Sequence, residues 1–103
     1  MGAVRRWKVF QMDSKQYDRG AKILGLLGEE TCLLIIHELI VSGPLNVFEL
    51  STALNIPKHT ISQHLQRLYA FKIVSCEYKS QLVYCKVEDE KVIKIIKILG
   101  LLN

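Results

Sequence analysis

The sequence predicts a mainly α-helical fold with a small β-hairpin wing, a winged helix-turn-helix. Three observations carry that prediction: a polar-apolar run over Leu54–Leu68, two alternating segments around a short turn after it, and a closing helix of unusual apolarity. In the run L-N-I-P-K-H-T-I-S-Q-H-L-Q-R-L, Ile61, Leu65 and Leu68 recur at three and four residues and share one helical face. Lys58, His59, Thr60, Ser62, Gln63 and Arg67 fall elsewhere on that helix. Short hydroxyl and amide side chains near a helix N-terminus, with a cation or two for phosphates, suit a helix that enters the major groove. An ordinary helical hairpin whose polar face meets water would show the same periodicity.

The elements follow in order. An N-terminal arm reaches about Met12, and a first helix runs from about Asp13 to Leu27, weakened by Gly20 and Gly25. A second helix spans Glu29 or Glu30 to Val41, acidic in its first turn and ended by Ser42-Gly43-Pro44, with Leu33, Ile36 and Leu39 as its core stripe. Asn46 and Glu49 have the spacing of a capping box for a short helix, Val47 to Leu54. Asn55 then suits a left-handed turn, and Pro57 fixes the start of the reading helix, so the helix-turn-helix occupies residues 46–71. Ile73 to Tyr78 and Leu82 to Val87 alternate around Lys79-Ser80, a hairpin that supplies a wing over residues 73–87. Asp89 caps a last helix from Glu90 to about Leu101, where Lys91, Lys94 and Lys97 form one narrow stripe and aliphatic residues cover the remainder. A terminal helix of a small monomer buries a stripe of about 100°. Some of this surface is therefore expected to meet a second copy of the chain, through Val92, Ile95, Ile96 and Leu99 of the last helix, 89–102. The alternative is a helix sunk deeper into its own domain.

Charge is unevenly placed. The chain carries 14 Lys plus Arg against 10 Asp plus Glu, with six of each sign before Pro57 and three of each after Val87. Between those residues stand Lys58, Arg67, Lys72, Lys79 and Lys86 against the single Glu77. The whole net charge of +4 thus falls on the reading helix and the wing, where contact with double-stranded DNA needs it. Lys58, His59, Thr60, Ser62, Gln63, Arg67 and Lys79 are the expected DNA-contacting residues.

Other classes find little support. At 103 residues with 50% hydrophobic content, the chain suits one domain with a modest core. No apolar run approaches the length of a membrane span and no signal-peptide region follows Arg5 and Arg6, so no membrane partner and a cytoplasmic location are expected. Three cysteines without C-x-x-C pairing do not make a disulfide scaffold, and reduced thiols are expected. Cys76 and Cys85 share one hairpin face. A Lys79-Ser80 turn would pair Cys76 with Val83 and leave the thiols diagonal at ~7 Å or more, too far for a relaxed disulfide. A register shifted by two would bring them opposite and open a redox role. Cys32 reads as a small buried hydrophobe, His37 as a half-exposed surface residue and His64 as one that packs or reaches the backbone. No catalytic set is visible, and no enzymatic activity or cofactor is expected.

The chain resembles the ArsR/SmtB family, dimeric winged-helix bacterial repressors, over roughly residues 20–100. The resemblance rests on Gly28-Glu29-Glu30-Thr31-Cys32-Leu33, Leu45 to Leu50, Thr60-Ile61-Ser62-Gln63-His64-Leu65 and the Val83-Tyr84 strand. It implies a homodimer built by the first helix, 13–27, with Ile23 and Leu27, together with the last helix, Lys58, His59, Thr60, Ser62 and Gln63 facing DNA, and residence at the bacterial nucleoid. Departures are informative. Asn46-Val47-Phe48 stands where many members carry C-V-C, and Lys91 and Leu102 replace the histidines of a zinc site that would include Asp89. The last helix has no cysteine, and Cys32 stands where an arginine is usual. The chain is therefore similar to PagR-type members without a metal box, which implies a repressor that binds an inverted repeat without a metal cofactor. A metal- or redox-responsive regulator and a winged-helix protein-interaction module are the alternatives.

Overall fold

The computed structural model describes residues 14–102; the expected arm, residues 1–12, and Asp13 lie outside that range. Its elements are α1 (Ser14–Leu27), α2 (Glu30–Ser42), α3 (Val47–Leu54), α4 (Lys58–Ala70), β1 (Val74–Lys79), β2 (Leu82–Val87) and α5 (Glu90–Ile98). Five helices and an antiparallel hairpin in this order form a winged helix-turn-helix.

Helix α2 is central to the core. Cys32, Ile35, Ile36 and Leu39 are fully or almost fully buried on one side of it, whereas Leu33, expected in that stripe, is only partly buried. Against this face pack Leu50 from α3 and Ile61, Leu65 and Leu68 from α4, with Ile73, Val74, Cys85, Val87, Val92 and Ile96 completing the cluster. The helix runs one residue past the expected Val41 and stops at Gly43, whose N–H donates to Leu39 O at 2.9 Å. A Cβ on Gly43 would collide with the Leu39 carbonyl, so the tight exit from α2 depends on that glycine.

The turn between α3 and α4 is built as its sequence signals indicate. Asn46 Oδ1 accepts from Glu49 N at 2.9 Å, and Glu49 Oε1 accepts from Asn46 N at 3.0 Å, which closes the capping box. Asn55 takes the left-handed conformation (φ 57°), and Pro57 precedes the first turn of α4. At the far end of α4, Lys72 is also left-handed (φ 60°) while Ile73 N donates to Leu68 O and Lys72 N to Tyr69 O. This Schellman arrangement puts Ile73 against Leu68, both buried, and starts the wing.

The hairpin corrects the expected register. Its turn is Ser80-Gln81, both with positive φ (54° and 67°), as a two-residue type I′ connection requires. Cys76 therefore faces Cys85, not Val83, and their sulfurs form a disulfide. Of the three thiols expected to be reduced, only Cys32 is free. Leu45 adds a bridge to the hairpin through two backbone hydrogen bonds with Cys85, which ties the entry of α3 to β2.

The terminal helices also depart from expectation. Helix α5 begins at Glu90, with Asp89 Oδ1 accepting from Lys91 N, but ends at Ile98 rather than near Leu101. Gly100 (φ 77°) takes the left-handed position while Leu101 N donates to Ile96 O and Gly100 N to Lys97 O. Leu27, Val92 and Ile96, expected at a dimer interface, are instead buried in the chain's own core. Ile23 and Ile95 are partly buried against that core, while Leu24, Leu99 and Ile98 remain 62%, 55% and 81% exposed.

Because Asn46 is itself buried and satisfies a first-turn amide of α3, Asn46→Ala should destabilise the protein by about 0.5–2 kcal/mol in urea unfolding. An unchanged midpoint would contradict the stabilising role of the capping box.

Candidate nucleic-acid interface

Burial of Ile61, Leu65 and Leu68 fixes the rotation of α4 and so sorts its polar residues into three sectors. His59, Gln63 and Gln66 are exposed and lie opposite the buried stripe at spacings of four and three. Gln66 belongs to this outward sector although sequence reasoning did not single it out. Ser62 faces the wing and, with Gln66, Tyr69, Tyr78 and Val83, lines a cleft of about 530 Å³ between α4 and the hairpin. Thr60, His64 and Arg67 lie toward the side of α4 next to α2, and Thr60 Oγ1 is 3.5 Å from His59 Nε2.

Cations divide in the same way. Lys58 Nζ sits 4.6 Å from the centre of the exposed Phe48 ring, which holds the ammonium beside the start of α4. Lys79 is exposed at the wing tip beside Ser80 and Gln81. Lys86 pairs with Glu88 at 3.1 Å, and Ser75 Oγ donates to the same carboxylate. These two contacts hold the Glu88 carboxyl below its ordinary range, Lys86 contributing most.

Arg67, expected at the DNA surface, is engaged elsewhere. Its guanidinium is bidentate to Glu29, Nη2 donating to Oε1 at 2.9 Å and Nη1 to Oε2 at 3.2 Å. Glu29 and Glu88 lie outside the segment between Pro57 and Val87, so folding neutralises two of the five cations counted there. Lys58, Lys72 and Lys79 make no ion pair among the described residues, and the positive surface is narrower than the sequence indicated.

The Arg67–Glu29 pair belongs to a four-residue cluster. Cys32 Sγ donates to Glu29 Oε1 at 3.5 Å and lies 3.3 Å from His64 Nδ1, while His64 Nδ1 is 3.4 Å from Glu29 Oε1. Arg67 Nη2 also donates to His64 Nδ1. His64 and Cys32, read separately as packing residues, thus meet across α2 and α4. The three-residue spacing of Glu29 and Cys32 was visible in the sequence; their approach to His64 depends on how the helices pack. Arg67 holds the Glu29 carboxyl below its ordinary range, whereas burial, then Glu29, pushes the Cys32 thiol from 9.0 up to about 11. His37, half-buried, makes a 2.9 Å contact with Leu101 O.

The family model described as "Bacterial regulatory protein, arsR family" matches residues 29–75. The HTH-type transcriptional regulator MJ1325 of Methanocaldococcus jannaschii is 30% identical over 84 residues, 82% of this chain and 94% of that protein. Among solved structures, NolR from Sinorhizobium fredii superposes with a TM-score of 0.77 at 25% identity, covering 84% of this chain and 86% of that one. The transcriptional repressor PagR of Bacillus anthracis superposes with a TM-score of 0.74 at 28% identity, covering 84% and 99%.

A thiol whose pKa is raised by folding stabilises the protein fully below 9.0, and that stability is lost as pH rises through about 11. Thermal melts between pH 8 and pH 11 should therefore fall more steeply for the wild type than for Cys32→Ala, whose own lower stability is the reference. Parallel slopes would mean that Cys32 is not held protonated by the fold.

Proposed function

Because this chain belongs to the arsR family of winged-helix transcription regulators, we propose that it is a homodimeric repressor that binds an inverted-repeat operator without needing a metal. The observation that carries this reading is the outward sector of α4, where His59, Gln63 and Gln66 stand exposed and free of the core on the helix that Lys58 opens. Amide side chains in that sector can pair with base edges, Gln most favourably with adenine. Thr60 and Ser62 flank them, and Lys58 and Lys79 meet phosphates on either side. Arg67 positions α4 through Glu29 rather than contacting DNA.

Dimerisation rests on Leu24, Ile98 and Leu99, exposed on α1 and at the end of α5, together with the partly buried Ile23 and Ile95. Covering these residues with a second copy removes apolar surface from water. To read two half-sites on one face of the duplex, the two-fold axis has to set the two α4 helices about 34 Å apart, one turn of the duplex. Similarity to the repressor PagR supports the sign of regulation.

One observation favours a second, redox-responsive reading. The Cys76–Cys85 disulfide staples the wing that carries Lys79, so its reduction would loosen that phosphate contact. If so, dithiothreitol should weaken operator binding, and Cys76→Ser should bind like the reduced protein with or without reductant.

Gln63→Ala should lose about 1–3 kcal/mol of discrimination at one operator position while leaving random-sequence affinity nearly unchanged. Lys79→Ala should weaken operator and random duplex alike and reduce the slope of log K against log salt by about one. Equal losses on both duplexes for Gln63→Ala would remove the proposed groove contact.

A further inference from the structure

We propose that Glu29, Cys32 and His64 form a binding site for a zinc-like divalent cation at the junction of α2 and α4. Their donor atoms Oε1, Sγ and Nδ1 lie 3.5, 3.3 and 3.4 Å apart, a nearly equilateral triangle. Zinc bonds of about 2.0 Å to oxygen and nitrogen and 2.3 Å to sulfur, at tetrahedral angles, require ligand separations of about 3.3–3.6 Å. The three side chains therefore have the needed spacing before any cation arrives. Thiolate, imidazole and carboxylate are also a donor set that zinc accepts, whereas magnesium or calcium would want oxygen alone.

The surroundings supply the remaining requirements. Cys32 closes the inner side of the triangle, while the half-exposed Glu29 and the largely covered His64 lead outward, so an entry path exists through Glu29. Binding forms an Sγ–metal bond and releases the Cys32 proton to solvent; thiolate and carboxylate then balance the two positive charges. The fourth tetrahedral position is left to water.

Arg67 now occupies part of this space. Nδ1 has a single lone pair, so it cannot accept from Arg67 Nη2 and bind a metal at once. On cation binding Arg67 gives up His64 and Oε1 but can keep its hydrogen bond to Oε2, where it becomes an outer partner that orients the ligating carboxylate. The site is separate from the positions Asn46 and Phe48, and from Lys91 and Leu102, where the sequence lacks metal ligands. It joins the helix that anchors the core to the helix that presents Gln63, and it stands whether or not DNA is the partner.

The test uses the full-length, chelator-treated protein with its wing disulfide intact, which leaves Cys32 as the one free thiol among the described residues. Titration with Co²⁺ as an optical probe should give a thiolate-to-cobalt charge-transfer band and intense tetrahedral d–d bands that saturate at one cobalt per chain. Zn²⁺ should bleach them. Cys32→Ser should abolish the charge-transfer band, and His64→Ala, at a less buried position, should weaken cobalt binding by at least about tenfold. Zn²⁺ should also raise the melting temperature of the wild type and not that of His64→Ala. The absence of a thiolate band in the wild type would show an ion-pair cluster only and overturn the proposal, as would a band that survives Cys32→Ser or an affinity unaffected by His64→Ala.

Discussion

What α4 presents to a partner depends on one packing constraint, the burial of Ile61, Leu65 and Leu68 of α4 against Cys32, Ile35, Ile36 and Leu39 of α2 and Leu50 of α3. Each of the leucines and isoleucines among these contributes on the order of 1.5–3 kcal/mol by leaving water, so rotating α4 to expose its stripe would cost more than any polar contact it could gain. Once that stripe is fixed, the position of every other side chain on α4 follows from the helical period. The reading residues are thus set by the apolar ones.

Polar contacts refine what packing imposes. The capping box of Asn46 and Glu49 and the left-handed Asn55 hold α3 at its angle to α4. On the other side, the bidentate Arg67–Glu29 pair crosses from the end of the α1–α2 turn to α4. An exposed ion pair contributes little to global stability, yet this one selects a geometry. It places His64 Nδ1 within reach of the Cys32 thiol and withdraws a cation from the outer surface. The same pair therefore connects the orientation of the reading helix to the only described cluster of soft and hard metal donors.

Much of this was legible in the sequence because it is local. The bounds of α3, the capping box, the stripe of α4 and the existence of a hairpin each rest on residues within a few positions of one another. What was missed depends on tertiary geometry or on fine turn chemistry. The hairpin register hung on whether Lys79-Ser80 or Ser80-Gln81 took positive φ, and neither pair contains glycine or asparagine to mark it. Arg67 reads as a phosphate contact until Glu29, 38 residues earlier, is seen beside it. Of the apolar excess of the last helix, Val92 and Ile96 fill the chain's own core, Ile93 and Ile95 pack partly against it, and Ile98 with the following Leu99 remains exposed. The end of α5 was overestimated because Gly100 terminates it through a hydrogen-bond pattern that aliphatic periodicity does not reveal.

In the proposed function α4 and the wing read a specific duplex as a symmetric pair. The most direct measurement is selection of genomic DNA fragments by the purified, chelator-treated protein, followed by sequencing of what is retained. Enrichment of one short inverted repeat whose half-sites are spaced by about one helical turn is expected. Recovery of fragments without a shared motif would contradict it.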